Sequence, residues 1–372
     1  MGQPAPANAR RRQPRDFYRI SRLNPNGYVM PQSLSSVPAG ALDTPVLLMV
    51  FSRPGTTRRV FDTIRRARPT RLYVAADGPR PGHPTDAVRC AETRAVVQEV
   101  DWPCEVFTLF QEQNLNCGLA PVTAMNWFFE HEAEGIILED DCVPAPSFFP
   151  FCQELLARYR DETRVMHIGG NNFGSEAQGP LSPGEPSYYF STQRNSWGWA
   201  TWRRAWQLYD YHLTDFRAVA DSGALNGTFT GPLEKRYRLG KMAGVLALPQ
   251  PPDVWDYQWE YTIARHQGLY IVPAVNLVGN IGFGNDSTHT HDGGDVLGDL
   301  PARDLAFPLR HPAQVAQDRR RDNRRFNEFF RSRLAAMVRR VFAGQKPVAA
   351  GLQSPKQAAK PVLSQPAKPA QS

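Results

Sequence analysis

The sequence predicts an α/β fold: a mostly parallel sheet with helices on both faces. Two observations carry this. Between Pro45 and Arg160, short apolar runs alternate with longer stretches at helical spacing, in the order strand, helix, strand, helix, strand, helix, strand, helix. A parallel sheet with crossover helices produces this order. Second, the apolar run Gly135-Ile136-Ile137-Leu138 ends in three consecutive acids, Glu139, Asp140 and Asp141, before Cys142-Val143-Pro144. Adjacent carboxylates repel one another and resist burial. They suit the open end of a strand, where α/β sheets bind ligands. A hard divalent cation with oxygen ligands, shared with a diphosphate, is the usual occupant of such a site. A solvated acidic turn is the plain alternative.

The elements follow in order. Val46–Phe51 is apolar and reads as a buried strand. Ser52-Arg53-Pro54-Gly55 is a turn, and Thr56 or Thr57 is expected to cap a helix running to Arg68. Leu72–Ala76 is a second strand, ending at Asp77-Gly78-Pro79; a helix over 86–100 and a third strand over 105–110 come next. A helix is expected from Pro121 to Glu132, then the strand into the acids, then a helix over 147–160. Right-handed crossovers place the ends of the first, second and fourth strands on one rim, together with Arg53, Asp77 and the acidic triplet. No GxGxxG or GxxxxGK[ST] follows the first strand, so the dinucleotide fingerprint and the P-loop are unsupported.

The second half is less regular. Apolar runs at 165–170, 188–191 and 269–272 read as strands, and helices are expected near 203–209, 232–242 and 256–267. Trp197-Gly198-Trp199 and Trp202 gather three indoles, as core or as the floor of a site. Asn171 and Asn172 after Gly170 suit a turn better than sugar hydroxyls. Residues 279–298 are rich in Gly, Asn, Asp and His and read as a long loop, of a length that is usually functional or disordered. An Arg-rich helix is expected over 312–342.

These readings divide the chain into a basic, mostly irregular segment (1–43), a main domain (44–300, with halves 44–170 and 171–300), an Arg-rich helical extension (301–343) and a disordered tail (344–372). Charge follows the same division. Residues 1–22 hold six arginines and one aspartate, net +5, and residues 303–372 hold fifteen lysines and arginines against four acids, net +11. The total is +7, so the segment between carries −9. The high isoelectric point belongs to the ends. Such ends suit an anionic membrane surface or nucleic acid; solvated ends are the plainer reading, and no nucleic-acid partner is expected. The five cysteines show no CxxC spacing, which argues for reduced thiols in the cytoplasm. No signal peptide and no membrane span are seen. The expectation is a cytoplasmic protein with at most peripheral contact at the inner membrane face.

The ordered set of parts resembles a family. Ser52-Arg53 after the first strand, Ala76-Asp77-Gly78 after the second, and Glu139-Asp140-Asp141 followed by Pro146-Ser147-Phe148-Phe149 are similar to GT-A-type glycosyltransferases. So are Trp197-Gly198-Trp199, Trp255-Asp256-Tyr257-Gln258-Trp259 and the late Gly-Phe-Gly loop with Ser-Thr-His. The nearest likeness is to the N-acetylglucosaminyltransferase I type and its bacterial relatives, over about residues 45–292. The resemblance implies a GT-A-like (Rossmann-like) sheet with an acceptor half. It implies a metal-dependent, inverting transfer from a nucleotide-diphosphate sugar, a UDP-sugar above all, to a glycan or other hydroxyl acceptor. Asp141 would then hold Mn²⁺ or Mg²⁺, Glu139 and Asp140 would face the nucleotide sugar, Arg53 and Asp77 would hold the nucleotide, and Asp256 would be the general base. A late histidine often completes the metal site in such enzymes; His289 fits this better than His291. The family's histidine before the triplet has no counterpart near Gly118–Pro121.

Each residue also has an ordinary explanation. Arg53 suits a surface turn, Asp77 a Gly-Pro turn, and Asp256 a helix N-cap. Two rival functions remain open. One is a sugar-nucleotide nucleotidyltransferase, for which Ser52-Arg53-Pro54-Gly55 is a partial signature; the other is a non-catalytic nucleotide- or glycan-binding protein.

Overall fold

The computed structural model describes residues 42–174, 184–249, 251–282 and 300–342. The expectations for 1–41, most of 279–298 with His289 and His291, and 344–372 lie outside the described residues.

The chain opens with β1 (Val46–Val50), α1 (Pro54–Ala67), β2 (Arg71–Ala76), α2 (Asp86–Val97), β3 (Glu105–Phe110), α3 (Asn116–His131) and β4 (Glu134–Glu139). It continues through β5 (Cys142–Pro144), α4 (Phe148–Arg158), β6 (Val165–Gly169), β7 (Tyr188–Ser191) and β8 (Trp199–Trp202). Then come α5 (Arg203–Trp206), α6 (Phe216–Asp221), α7 (Pro232–Val245), α8 (Asp256–Arg265), β9 (Leu269–Pro273), β10 (Val278–Asn280) and α9 (Arg319–Phe342).

Eight strands form one mixed sheet in the order β3-β2-β1-β4-β8-β6-β9-β7. β1, β2, β3 and β4 pair in parallel, and so do β6 and β9; β8 and β7 run against their neighbours. The result is a mixed α/β fold with a mostly parallel central sheet, consistent with a Rossmann-like fold. Successive strand residues face opposite ways, and the core divides accordingly. Val46, Leu48 and Val50 of β1 pack with Val60, Phe61 and Ile64 of α1 and with the α4 phenylalanines. Leu47 and Met49 pack on the other side with Val122, Met125 and Phe128 of α3 and with Trp259 and Ile263 of α8. A third cluster joins Phe216 of α6, Met242 and Val245 of α7, and Tyr261 and Ala264 of α8.

Several local expectations change. Neither Thr56 nor Thr57 caps α1: the helix starts at Pro54, whose missing N–H costs nothing in a first turn. Helix α3 starts at Asn116, five residues before Pro121, because the Asn116 side chain accepts from the Gly118 and Leu119 N–H groups at 2.8 and 3.0 Å. Helix α9 starts at Arg319 rather than at 312. A two-stranded ladder, β5 with β10, was not expected at all. It locks the chain after the triplet onto the root of the late loop.

Candidate active site

The chain leaves β1 for β2 on one side and returns to β4 on the other. Open α/β sheets take ligands in the crevice at such a reversal, beyond the carboxyl ends of the strands. Charged residues from both strand ends meet there. Arg53, between β1 and α1, donates from Nη1 to Asp141 Oδ2 at 2.8 Å and to Asp140 Oδ1 at 3.3 Å. The Phe51 N–H donates to Asp140 Oδ2 at 3.3 Å. The Asn280 amide donates to Asp141 Oδ1 at 3.2 Å, and the Ile281 N–H donates to the Asp141 carbonyl at 2.9 Å. Gly282 lies against the same carboxylate: a Cβ added there would stand 2.2 Å from Asp141 Oδ2. The root of the late loop therefore rests on Asp141.

Burial pushes the Glu139 carboxyl well above the usual carboxylate range; Asp141, Asp140 and Asp256 add to the push and Arg53 opposes it. Asp140 is raised too, by burial first, against the pull of Arg53. Asp140, Asp141 and Glu139 all act on Arg53, so among the described residues acids outnumber the arginine that faces them. Among the described residues, no group of three or more His, Cys, Asp or Glu side chains forms a ready-made metal cluster.

Asp256 comes from the other half of the chain, and its charge reaches Glu139. It is the first residue of α8, and the N-cap position before it belongs to Trp255. Its Oδ2 accepts from Arg194, whose guanidinium lies over the Tyr257 ring, 4.1 Å from its centroid. Arg194 also reaches Glu260 at 3.5 Å. Glu260, the next acid along α8, is buried and accepts from Arg238 at 2.7 Å. Sequence reasoning missed Arg194 and Arg238. Their partners lie 62 and 22 residues away, and no local pattern marks them.

Asp77 stands at the end of β2, as expected, but its carboxylate is occupied. Oδ1 accepts from the Gly78 and Leu115 N–H groups at 2.8 and 2.9 Å, and Oδ2 accepts from Asn114 at 2.8 Å. Burial raises its pKa to about 6, with the Leu115 and Gly78 hydrogen bonds opposing. Arg94 ties the same corner, donating to the Gln111 carbonyl at 2.6 Å and the Asp77 carbonyl at 3.2 Å. Asp77 thus organises the turn into α3.

The indoles split. Trp199 and Trp202 are buried core residues; Trp199 stacks on His167 at 4.8 Å and on Trp255 at 5.7 Å. Trp197 is only partly buried, edge-on to Phe173 at 4.8 Å. Gly198, at φ +60°, has no room for a side chain: a Cβ would meet Val278 at 2.9 Å and Leu138 at 3.2 Å. Asn171 and Asn172 are buried and shape the turn after β6, accepting from the Trp197 N–H and donating to the Pro273 carbonyl.

A cavity of about 450 Å³ opens at the opposite end of the sheet, lined by Arg71, Glu132, Glu134, Gln153 and Arg160 among others. Arg53, Asp77, the acidic triplet and Asp256 do not line it.

No family model and no curated protein matches the chain. Among solved structures, part of it is similar to the crystal structure of HddC from Yersinia pseudotuberculosis, at 8% identity and a TM-score of 0.26, covering 43% of this chain and 77% of that one. So loose a superposition carries no argument about chemistry.

Proposed function

We infer that the crevice between β1 and β4 handles a nucleotide-diphosphate sugar, and that the chain is an enzyme acting on such a substrate. The observation that carries this reading is the meeting of Arg53 with the acidic triplet at the reversal of strand order. Arginine suits phosphate oxygens, and the surplus of carboxylates suits the cation that accompanies them. The donor set fits Mn²⁺ or Mg²⁺: its atoms are hard oxygens, and such ions are commonly held by one or two carboxylates together with substrate phosphates. Asp141 would be the protein's ligand, with Glu139 and Asp140 toward the nucleotide sugar. When bound, the metal would neutralise charge building on the leaving diphosphate.

Within that class the finer reading is a glycosyltransferase, supported by Asp256, whose charge acts on Glu139. The acceptor hydroxyl attacks the anomeric carbon and the bond from that carbon to the phosphate oxygen breaks. The electron pair leaves on the nucleoside diphosphate, and the hydroxyl proton passes to the Asp256 carboxylate. Arg194 holds Oδ2 and so fixes which oxygen faces the acceptor.

A second reading, nucleotidyl transfer onto a sugar phosphate, draws on a different observation. Arg53 sits in a tight turn at the N-terminus of the 14-residue α1, a position that suits a polyphosphate. The product separates the two. A panel of nucleotide sugars with Mn²⁺ and simple hydroxyl acceptors should release nucleoside diphosphate if the finer reading holds. Pyrophosphate released from a nucleoside triphosphate and a sugar phosphate would favour the second. Neither product, with no nucleotide binding, would remove the whole class.

A further inference from the structure

Helix α9 changes character along its length. Its first half is anchored in the body. Asp322 is fully buried and accepts from Ser191, Thr192 and Gln317. Phe326 is buried, and Phe326 and Phe329 both pack on Tyr237 of α7. From Arg331 the helix runs on with its described side chains in solvent. Phe326, Phe330 and Leu334 stand four apart, and Met337 and Val338 lie three and four beyond Leu334, so the stripe that is core at Phe326 continues past the body. There Leu334 is 48%, Met337 51% and Val338 42% exposed. Three large apolar side chains on one face of one helix make a patch rather than scattered exposure.

The chemistry beside the patch is cationic. Helical spacing puts Arg331 on one flank and Arg333 on the other. Arg333 lies over the Phe329 ring at 5.6 Å, near Lys241 of α7. Nine arginines and two acids stand between Arg319 and Phe342, and four lysines and no acid follow to Ser372.

We propose that the second half of α9 is a membrane-surface helix that lies in the headgroup layer of an anionic bilayer. Leu334, Met337 and Val338 enter the acyl boundary, and Arg331 and Arg333 take lipid phosphates. An apolar stripe between basic flanks is the arrangement that lies in such an interface, and each basic residue near an anionic surface adds attraction. Other occupants fit less well. A nucleic acid offers phosphates but nothing for three aliphatic side chains. A second copy would bring arginine flanks together with few acids to receive them. This surface is independent of the reaction run at the crevice.

The test uses the full chain and sedimentation with vesicles. One set contains equal parts phosphatidylglycerol and phosphatidylcholine, the other phosphatidylcholine alone. The parent should bind the mixed vesicles about tenfold or more tightly than the neutral ones, and added salt should weaken the binding. Leu334→Asp with Met337→Asp should lose about tenfold or more. Its melting temperature should match the parent's, because both positions are exposed. Light scattering and a labelled DNA duplex check the other occupants. The proposal is overturned if the parent ignores mixed vesicles or if the aspartate pair binds them as the parent does. It is also overturned if the same pair abolishes a dimer or duplex binding while vesicle binding is absent.

Discussion

Arg53 Nη1 lies 2.8 Å from Asp141 Oδ2, joining the end of β1 to the turn after β4. Its charge acts on all three acids of the triplet, so its removal leaves them less compensated. Arg53→Met should lower the free energy of unfolding by about 2 kcal/mol, the scale of a charge-assisted hydrogen bond. Mn²⁺ should recover part of that loss by supplying the missing charge. Urea titrations with and without Mn²⁺ measure both effects. A variant as stable as the parent in the absence of metal would show that the pair does not hold the crevice together.

Asp256 and Glu260 both meet Arg194, but their settings differ. Glu260 is 2% exposed and held by Arg238, whereas the Asp256 side chain is 27% exposed and pairs with Arg194. Glu260→Gln should destabilise the protein by about 3 kcal/mol, as expected when one partner of a buried pair is removed. Asp256→Asn should keep most of the stability and the nucleotide affinity while turnover falls about a hundredfold or more. Near-normal turnover in Asp256→Asn would remove it from the mechanism, and buried Glu260 is poorly placed to take over.

Asp77 gives a pH dependence whose sign runs against common carboxylates. Its folded pKa is raised to about 6 by burial, above an unfolded value of about 4. Between these values the folded state binds more protons, so this stabilisation is complete below the unfolded pKa and lost as pH rises through the folded one. The stability of the parent relative to Asp77→Asn should therefore fall by about 2–3 kcal/mol from pH 4 to pH 7. Denaturation curves at both pH values check it; a flat or rising difference contradicts the buried setting.

Gly282, with Asn280 and Ile281, holds the root of the late loop against Asp141. In Gly282→Ala the new methyl collides with the Asp141 carboxylate and displaces it. Metal-dependent nucleotide affinity should drop about tenfold, since position at a metal site is sensitive to shifts of this size. The melting temperature should move little, because Gly282 is only partly buried. Unchanged affinity would mean that the loop root does not set the carboxylate's position.

The sequence made the first half of the sheet legible because strands and crossover helices alternate there at short range, and each apolar run is long enough to declare itself. The triplet was legible because its acids adjoin an unmistakable strand. The placement of β8 between β4 and β6 was not. That pairing links Glu134 to Trp202 and Ile168 to Ala200, and local periodicity carries no information about such distant partners. Asp77 was read from its place at a strand end, but Asn114 and Leu115, which occupy its carboxylate, come from a turn 37 and 38 residues on. The ordinary N-cap explanation for Asp256 fails because Trp255 holds that position and Arg194, 62 residues away in sequence, takes the carboxylate. His289 lies outside the described residues.

The central claim is that the acids after β4 bind a nucleotide diphosphate together with a divalent cation. Calorimetric titration of UDP into the parent and into Asp141→Asn, each with and without Mn²⁺, tests it most directly, with melting temperatures measured alongside. The parent should bind UDP only with Mn²⁺ present; Asp141→Asn should lose that binding about a hundredfold or more while melting as the parent does. Metal-independent UDP binding in the parent, or equal binding by the two proteins, would contradict the account.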